Sequence, residues 1–364
     1  MPETTDTFGD LPAWGWDYRW AEAFAHLAEP GMWPGRVTAQ HRGAWIVNGP
    51  SGESTASPTG KLRRGADDSG YPTVGDWVAC LDAAHGGVAA IHSTLPRRAA
   101  FRRKAAGSRP GAQTIAANVD TRFIATSLNH DLNPRRLERY VTMARESGAE
   151  PVLILTKADL VEDAQDQAGQ LEAELHVSAV SISTRSGFGL DAVARWFVRG
   201  KTLALVGSSG VGKSTLLNKL AGEELMVTRE IRDDDARGRH TTTHRELFLL
   251  ANGSLVLDTP GMREFGVWDA EEGVHETFDE IIELATGCRF SDCSHQSEPG
   301  CAVQAAIVDG RLDESRFRSY VGLADESAQQ ATLATRRAQE RQWGKAIKKA
   351  GAGSVVRKRY DGRG

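Results

Sequence analysis

The chain has 364 residues, 40% of them hydrophobic and 25% charged, with a formal net charge of −4 and four cysteines. That length has room for two or three domains, and the apolar content is that of a folded chain rather than a disordered one. No apolar run approaches the roughly twenty residues a membrane-spanning helix needs, and the first dozen residues are acidic and polar, unlike an Arg-rich transit segment, so a cytoplasmic protein without membrane contact is expected.

Residues 1–34 form an aromatic-rich extension in which Trp14, Trp16, Tyr18 and Trp20 recur at two-residue spacing, as in a half-buried strand. The helical pattern from Trp20 to Leu27 follows, and packing rather than chemistry is its expected role. Residues 35–105 hold short β-type runs (Arg36 to Ala39, Ala44 to Val47, Asp76 to Leu81, Val88 to Ile91) broken by a polar loop from Gly49 to Gly70. Short strands with uneven loops suit a small barrel, either an OB-fold with a nucleic-acid face or a barrel of another kind. Cys80 reads as a small buried hydrophobe on one of these strands. The run Arg97 to Lys104 is cationic with Phe101 available for stacking, and Gly107 to Gly111 reads as a flexible connector.

Residues 106–268 alternate strands with amphipathic helices, the pattern of a doubly wound parallel sheet. The strand-like run Pro151 to Leu155 delivers Thr156, Lys157, Ala158 and Asp159 to a loop. A carboxylate at Asp159 can accept two hydrogen bonds from guanine N1–H and its exocyclic amine, a pair that adenine does not offer. Thr156 stands where most guanine-reading loops carry Asn. Ser183 and Thr184, after the run Leu175 to Ile182, take the position of a second base loop. Leu203 to Val206 is a buried-strand run leading into Gly207, Ser208, Ser209, Gly210, Val211, Gly212, Lys213 and Ser214, followed by Thr215 and a helical pattern. This is a P-loop: backbone N–H groups converge on phosphate oxygens, Lys213 adds charge, and Ser214 offers a hydroxyl to Mg²⁺.

Gly238 to His244 contains Thr241, Thr242 and Thr243, any of which can complete a magnesium shell when a γ-phosphate is present; Thr242 is carried as that ligand beside Ser214. Leu255 to Asp258 is a second strand ending in a carboxylate, with Gly261 placed to sense the γ-phosphate. Met262 follows where a water-orienting Gln commonly sits, which leaves His240 as the catalytic candidate. The base-reading loop precedes the P-loop, so the motif order is that of a circularly permuted GTP site. An ATPase or small-molecule kinase would share the P-loop without needing Lys157 and Asp159, and an RNA-binding scaffold gated by nucleotide with negligible hydrolysis is the nearer rival.

Residues 269–335 are helical around Cys288, Cys293, His295 and Cys301. Three thiolates and an imidazole at such intervals can close a tetrahedron around one structural Zn²⁺ with no open position; a disulfide is the rival. Residues 336–364 carry ten Lys/Arg against Glu340 and Asp361, a local net charge of +8 that suits a phosphate backbone.

Together these motifs resemble the bacterial small-ribosomal-subunit-dependent GTPase A family, over about Gly35 to Leu323. The resemblance includes Val74-Gly75-Asp76-Trp77-Val78, Leu95-Pro96-Arg97-Arg98, Ala117-Asn118-Val119-Asp120 and Glu298-Pro299-Gly300-Cys301-Ala302-Val303. It implies an N-terminal OB-fold barrel, a central α/β P-loop GTPase domain with permuted motif order, and a C-terminal helical zinc-binding domain. It further implies hydrolysis of GTP to GDP stimulated by the small subunit, rRNA contacts by the outer domains, a role in late small-subunit maturation, and His240 as the replacement for the missing Gln. A monomer is expected.

Overall fold

A computed structural model describes residues 9–41, 43–65, 71–83, 87–104, 112–129, 131–208, 210–221, 245–258, 271–296 and 298–325. Strands β1 (Trp33–Gln40), β2 (Trp45–Gly49), β3 (Gly52–Pro58), β4 (Trp77–Leu81) and β5 (Ala89–Thr94) form the N-terminal barrel. The first half of β1 pairs antiparallel with β4 and so closes it. Val37, Val47, Ala56, Val78, Cys80 and Ile91 are buried inside, which is where alternating apolar positions of short strands must point. Cys80 is free as well as buried.

Two local expectations are corrected. The polar loop from Gly49 to Gly70 contains β3, hairpinned onto β2, and a short helix α2 (Gly60–Gly65). The strand is polar because only Ala56 and Pro58 are buried along it, so composition hides it. The Trp repeat of the extension is not a strand either. Leu11–Trp14 is a single 3₁₀ turn with Pro12 in its first positions, Gly15 ends it at φ 87°, and helix α1 (Tyr18–Leu27) starts where the Asp17 carboxylate accepts from the N–H groups of Arg19 and Trp20. Trp16, Trp20, Trp77 and Leu95 close into a cluster over the barrel, which makes the extension a packing element.

A ribbon of β6 (Ala100–Lys104) and β7 (Ala112–Ala117) spans the boundary expected at residue 105. Beyond it lie the parallel strands β8 (Thr121–Ser127), β9 (Glu150–Thr156), β10 (Ser178–Ser181) and β11 (Thr202–Gly207), then β12 (Arg245–Leu249), antiparallel to β13 (Leu255–Asp258). Their order, β10-β9-β8-β11-β13-β12, runs on through β1 into the barrel as one continuous sheet. Helices α3 (Pro134–Glu146), α4 (Ala164–Leu175), α5 (Leu190–Ala194) and α6 (Lys213–Ala221) connect the strands. Parallel neighbours demand such crossovers, and the resulting two-sided burial explains the apolar runs of β9 and β11 and the burial of every residue of β8.

Three motifs noted for their resemblance meet at the joint between barrel and α/β sheet. Gly75 has φ 90°, and a Cβ there would lie 2.0 Å from the Ala117 carbonyl, so only glycine fits. Asn118 donates its Nδ2 to the Gly75 carbonyl at 3.0 Å and accepts the Arg98 N–H at 2.9 Å. Arg97 forks onto the buried Asp76 carboxylate with both contacts at 2.7 Å. Arg36, 2% exposed, crosses from β1 to donate to the Asn118 carbonyl at 3.2 Å and Thr202 Oγ1 at 3.1 Å, at the start of β11.

The helical pattern of the C-terminal part is split by the buried Phe278 into α7 (Glu271–Thr277) and α8 (Asp279–Ala285), followed by α9 (Ala302–Val308) and α10 (residues 314–325). Helix α7 lies on α3, an approach that Gly273 permits: a Cβ there would come within 2.4 Å of the Thr142 carbonyl.

Candidate nucleotide and metal sites

The P-loop joins β11 to α6, as a strand, glycine turn and helix must to aim N–H groups at an anion. Gly207 sits at φ 141° with the Ala125 carbonyl 2.1 Å from where a Cβ would be, and Gly210 and Gly212 are also at positive φ. Lys213, first residue of α6, donates Nζ to the carbonyls of Gly207 at 2.9 Å and Ser208 at 2.6 Å. Ser214 and Thr215 follow in the first turn, half-buried and exposed respectively. Strand β13 runs parallel beside β11 and carries Asp258 at its end, next to the strand that leads into the loop.

The loops expected to read the base stand on the neighbouring strands. Thr156 ends β9, and Lys157 turns the chain in the left-handed region at φ 61°. Ala158 N–H donates to the Ile182 carbonyl at 3.0 Å, and Ile182 N–H to Leu155 at 2.8 Å, so the ends of β9 and β10 are tied together. The Ser183 hydroxyl hydrogen-bonds the Asp159 carboxyl and holds its pKa below the ordinary value. Thr184 lies half-buried in the same loop, which closes through Ser186 N–H to Ser183 Oγ at 3.2 Å.

Thr156 behaves differently from a base contact. It is 3% exposed and its hydroxyl faces the Val211 carbonyl at 2.7 Å and the Thr126 carbonyl at 3.2 Å. Val211 belongs to the P-loop, so the residue that departs from the usual Asn links the base loop to the phosphate loop. Ser209, His240, Thr241, Thr242, Thr243 and Gly261 lie outside the described residues.

The metal candidate is compact. The ligand atoms of Cys288, Cys293, His295 and Cys301 all lie within 4.8 Å of one another. His295 Nδ1 is 3.5 Å from both Cys288 Sγ and Cys301 Sγ, which are 3.9 Å apart. A tetrahedron with Zn–S of about 2.3 Å and Zn–N of about 2.0–2.1 Å has edges of about 3.8 and 3.5 Å, so the cluster fits that ion. All three cysteines are free, against the disulfide alternative. Backbone supports the thiolates: Ala302 N–H points to Cys288 Sγ and Gln304 N–H to Cys301 Sγ, both at 3.4 Å, and Gln304 Nε2 donates to the His295 carbonyl at 2.6 Å. Such outer contacts orient ligands. His295 reaches its place through a left-handed turn, φ 59°.

A family model described as RsgA GTPase matches residues 94–268. The small ribosomal subunit biogenesis GTPase RsgA of Opitutus terrae is 44% identical over 97% of this chain and 99% of its own length. The chain belongs to the RsgA GTPase family. A Listeria monocytogenes RsgA is 48% identical over 82% of this chain and 84% of its own. Among solved structures, YjeQ from Thermotoga maritima is similar with a TM-score of 0.60 and 26% identity, covering 82% of this chain and 99% of that one. YloQ, described as a circularly permuted GTPase, gives 0.57 and 25% over 84% and 98%.

Two features of this RsgA-family chain escape sequence reasoning. Phe101, expected as a stacking ring, is 3% exposed beneath the Arg122 guanidinium at 4.8 Å and cannot meet a base. Arg316 and Glu138 form a buried charge centre instead of a solvated helix face. Arg316 donates to Glu138 Oε1 at 3.1 Å, Glu280 Oε1 at 2.5 Å and the Thr277 carbonyl at 2.8 Å, while Arg135 and Ser319 take further places on Glu138. These contacts tie α3 of the α/β domain to α8 and α10. Charge at helical spacing normally marks the wet side, so no sequence signal separates this pair from its neighbours.

Proposed function

We propose that this chain binds GTP with Mg²⁺, hydrolyses it to GDP and phosphate, and acts in maturation of the small ribosomal subunit, the role stated in the names of its RsgA relatives. One observation carries the reading. The Thr156 hydroxyl on the Val211 carbonyl joins a base-reading loop, encoded upstream, to a P-loop encoded downstream. A phosphate loop alone serves any nucleotide; an ionised acceptor at the base end selects guanine.

In this reading Asp159 accepts from the guanine N1–H and amine, Lys157 lies along the base, and Ser183 and Thr184 close the base pocket. Gly207 to Thr215 cradle the phosphates with Lys213 as the cation. Ser214, Thr242 and Asp258 offer the hard oxygen donors that suit Mg²⁺, which neutralises charge on the β- and γ-phosphates when bound. Thr241 and Thr243 flank that ligand, Gly261 senses the γ-phosphate, and His240 orients the attacking water. The Cys288, Cys293, His295 and Cys301 cluster holds one structural Zn²⁺. We assign residues 1–34 to the extension, 35–105 to the OB-type barrel, 106–268 to the GTPase domain, 269–335 to the zinc domain and 336–364 to a basic tail. The exposed Arg102 and the tail's cations are suited to rRNA phosphates. We carry a cytoplasmic monomer as part of this reading; no helix of the described residues is long and apolar enough to cross a membrane.

The test is single-turnover GTP hydrolysis with and without small ribosomal subunits. Stimulation in the native protein and its loss in His240→Ala, with GTP affinity retained, are expected. Absence of hydrolysis in both conditions would favour the nucleotide-gated RNA-binding scaffold instead.

A further inference from the structure

The P-loop and the loops expected to read the base lie at the C-terminal ends of the parallel strands. At the opposite ends, where β8 and β11 begin, the joint between extension, barrel and sheet encloses a separate cavity of about 320 Å³. The extension, whose expected role was packing alone, contributes Trp16 and Trp20 to its wall. Gly15 seats the extension against the start of β11: at φ 87°, it lies so close to Gly200 that a Cβ would be 2.4 Å from the Gly200 carbonyl oxygen. Two motifs that the nucleotide site leaves unused, Leu95 to Arg98 and Ala117 to Asp120, meet at the same place through Arg98 and Asp120.

The charge of this cavity is unbalanced. Arg36, Arg98, Arg199 and Lys201 line it with only Asp17 and Asp120, an excess of two positive charges. Both carboxylates are already committed. Asp17 accepts the two Nη atoms of Arg98 at 2.7 and 2.6 Å, and the Arg98 guanidinium lies over the Trp20 ring at 4.0 Å. Asp120 accepts Lys201 Nζ at 2.7 Å and the Thr202 N–H at 2.9 Å. No carboxylate among the described residues forms an ion pair with Arg36 or Arg199.

Arg36 is the telling member. It is 2% exposed and donates only to neutral groups: the carbonyls of Trp14 and Asn118, both at 3.2 Å, and Thr202 Oγ1 at 3.1 Å. Its Nε has no acceptor. A buried cation without a counter-ion is costly, and burial pulls this guanidinium's pKa down to about 10, which still leaves it charged at neutral pH.

We infer that this cavity binds a small oxyanion, a phosphate monoester or a carboxylate, with the buried Arg36 and the exposed Arg199 as its counter-charges. Guanidinium groups recognise both kinds of oxyanion through paired N–H donors. The volume is that of a small-ligand site. A nucleic-acid backbone meets surface cations, whereas Arg36 is almost fully enclosed. The inference does not depend on the GTPase reading, because the site shares no residue with the nucleotide loops.

Calorimetry tests it on the full-length protein saturated with GDP and Mg²⁺, so that the P-loop is occupied. Inorganic phosphate and succinate are titrated separately, and saturable binding of at least one is expected; which of them binds identifies the ligand's class. Arg199→Glu, a reversal of an exposed charge, should weaken that binding at least about tenfold while leaving the urea midpoint of the ligand-free protein unchanged. Arg36→Lys, which keeps the charge and loses the fork, should weaken it as well. A second measurement needs no variant: modification of Arg199 by phenylglyoxal, followed by mass spectrometry, should slow when the probe is bound. Binding that is equally tight in Arg199→Glu, or an unchanged rate of Arg199 modification, overturns the site. So does the absence of binding by both probes up to about 10 mM. Failure of GDP to bind would count against the GTPase reading alone, since the same titrations of nucleotide-free protein still read the cavity through Arg199.

Discussion

Replacing Thr156 by Val keeps the shape of the side chain and removes only the hydroxyl. One hydroxyl proton can serve one acceptor at a time, so of the two carbonyls in reach the nearer, Val211 at 2.7 Å, loses its donor. Thr156 is 3% exposed, so water has little access to take its place. A buried carbonyl left unpaired costs about 1–3 kcal/mol, and about 1.4 kcal/mol is tenfold in an equilibrium constant. The penalty falls on the arrangement in which the base loop and P-loop are tied, which is the arrangement that grips a nucleotide at both ends. GDP and GTP affinity should therefore drop about tenfold, while Thr156→Ser stays within about threefold of wild type. Titration with a fluorescent GDP analogue measures both. Unchanged affinity in a folded Thr156→Val protein would refute the argument that this hydroxyl links the two loops.

Asp159→Asn removes the acceptor for the guanine N1–H and amine and presents a donor; GTP binding should weaken by at least about tenfold, and xanthosine triphosphate, with a carbonyl at C2, should gain. Competition binding reads both shifts. Chelation of zinc should loosen residues 269–325 to protease while GDP binding remains, because a loop of this size has too small a core to hold itself; full protease resistance without metal would contradict the assignment. Arg316→Leu leaves the buried Glu138 with Arg135 as its remaining cation, and breaking such a pair costs about 3–5 kcal/mol, the lower end applying here because Arg135 stays. Urea unfolding followed through α10 should show an earlier midpoint; an unchanged midpoint would mean the pair is not a tie between the domains.

The chemistry-bearing loops were legible because each needs rare residues at fixed places. Gly207 cannot carry a Cβ beside the Ala125 carbonyl, the guanine reader proposed at Asp159 calls for a carboxylate, and a cluster of three cysteines and a histidine within fourteen residues has few other uses. The order of those loops was likewise readable without coordinates. Strand β3 was hidden because one of its faces is solvated and its buried side chains are small. The Trp repeat misled because Gly15 and the Asp17 cap divide it between a turn and a helix. Phe101 read as free because nothing local announces Arg122, which arrives from a strand twenty-one residues on. Glu138 and Arg316 find each other only through packing of α3 against the C-terminal helices, a long-range choice that no window of sequence contains.

The central claim is that a carboxylate loop encoded before the P-loop reads the base of the nucleotide that the P-loop holds. Displacement of labelled GDP from the Mg²⁺-saturated protein by GTP and by ATP tests it most directly. GTP should compete better than ATP by at least about a hundredfold; equal competition by the two would contradict the account.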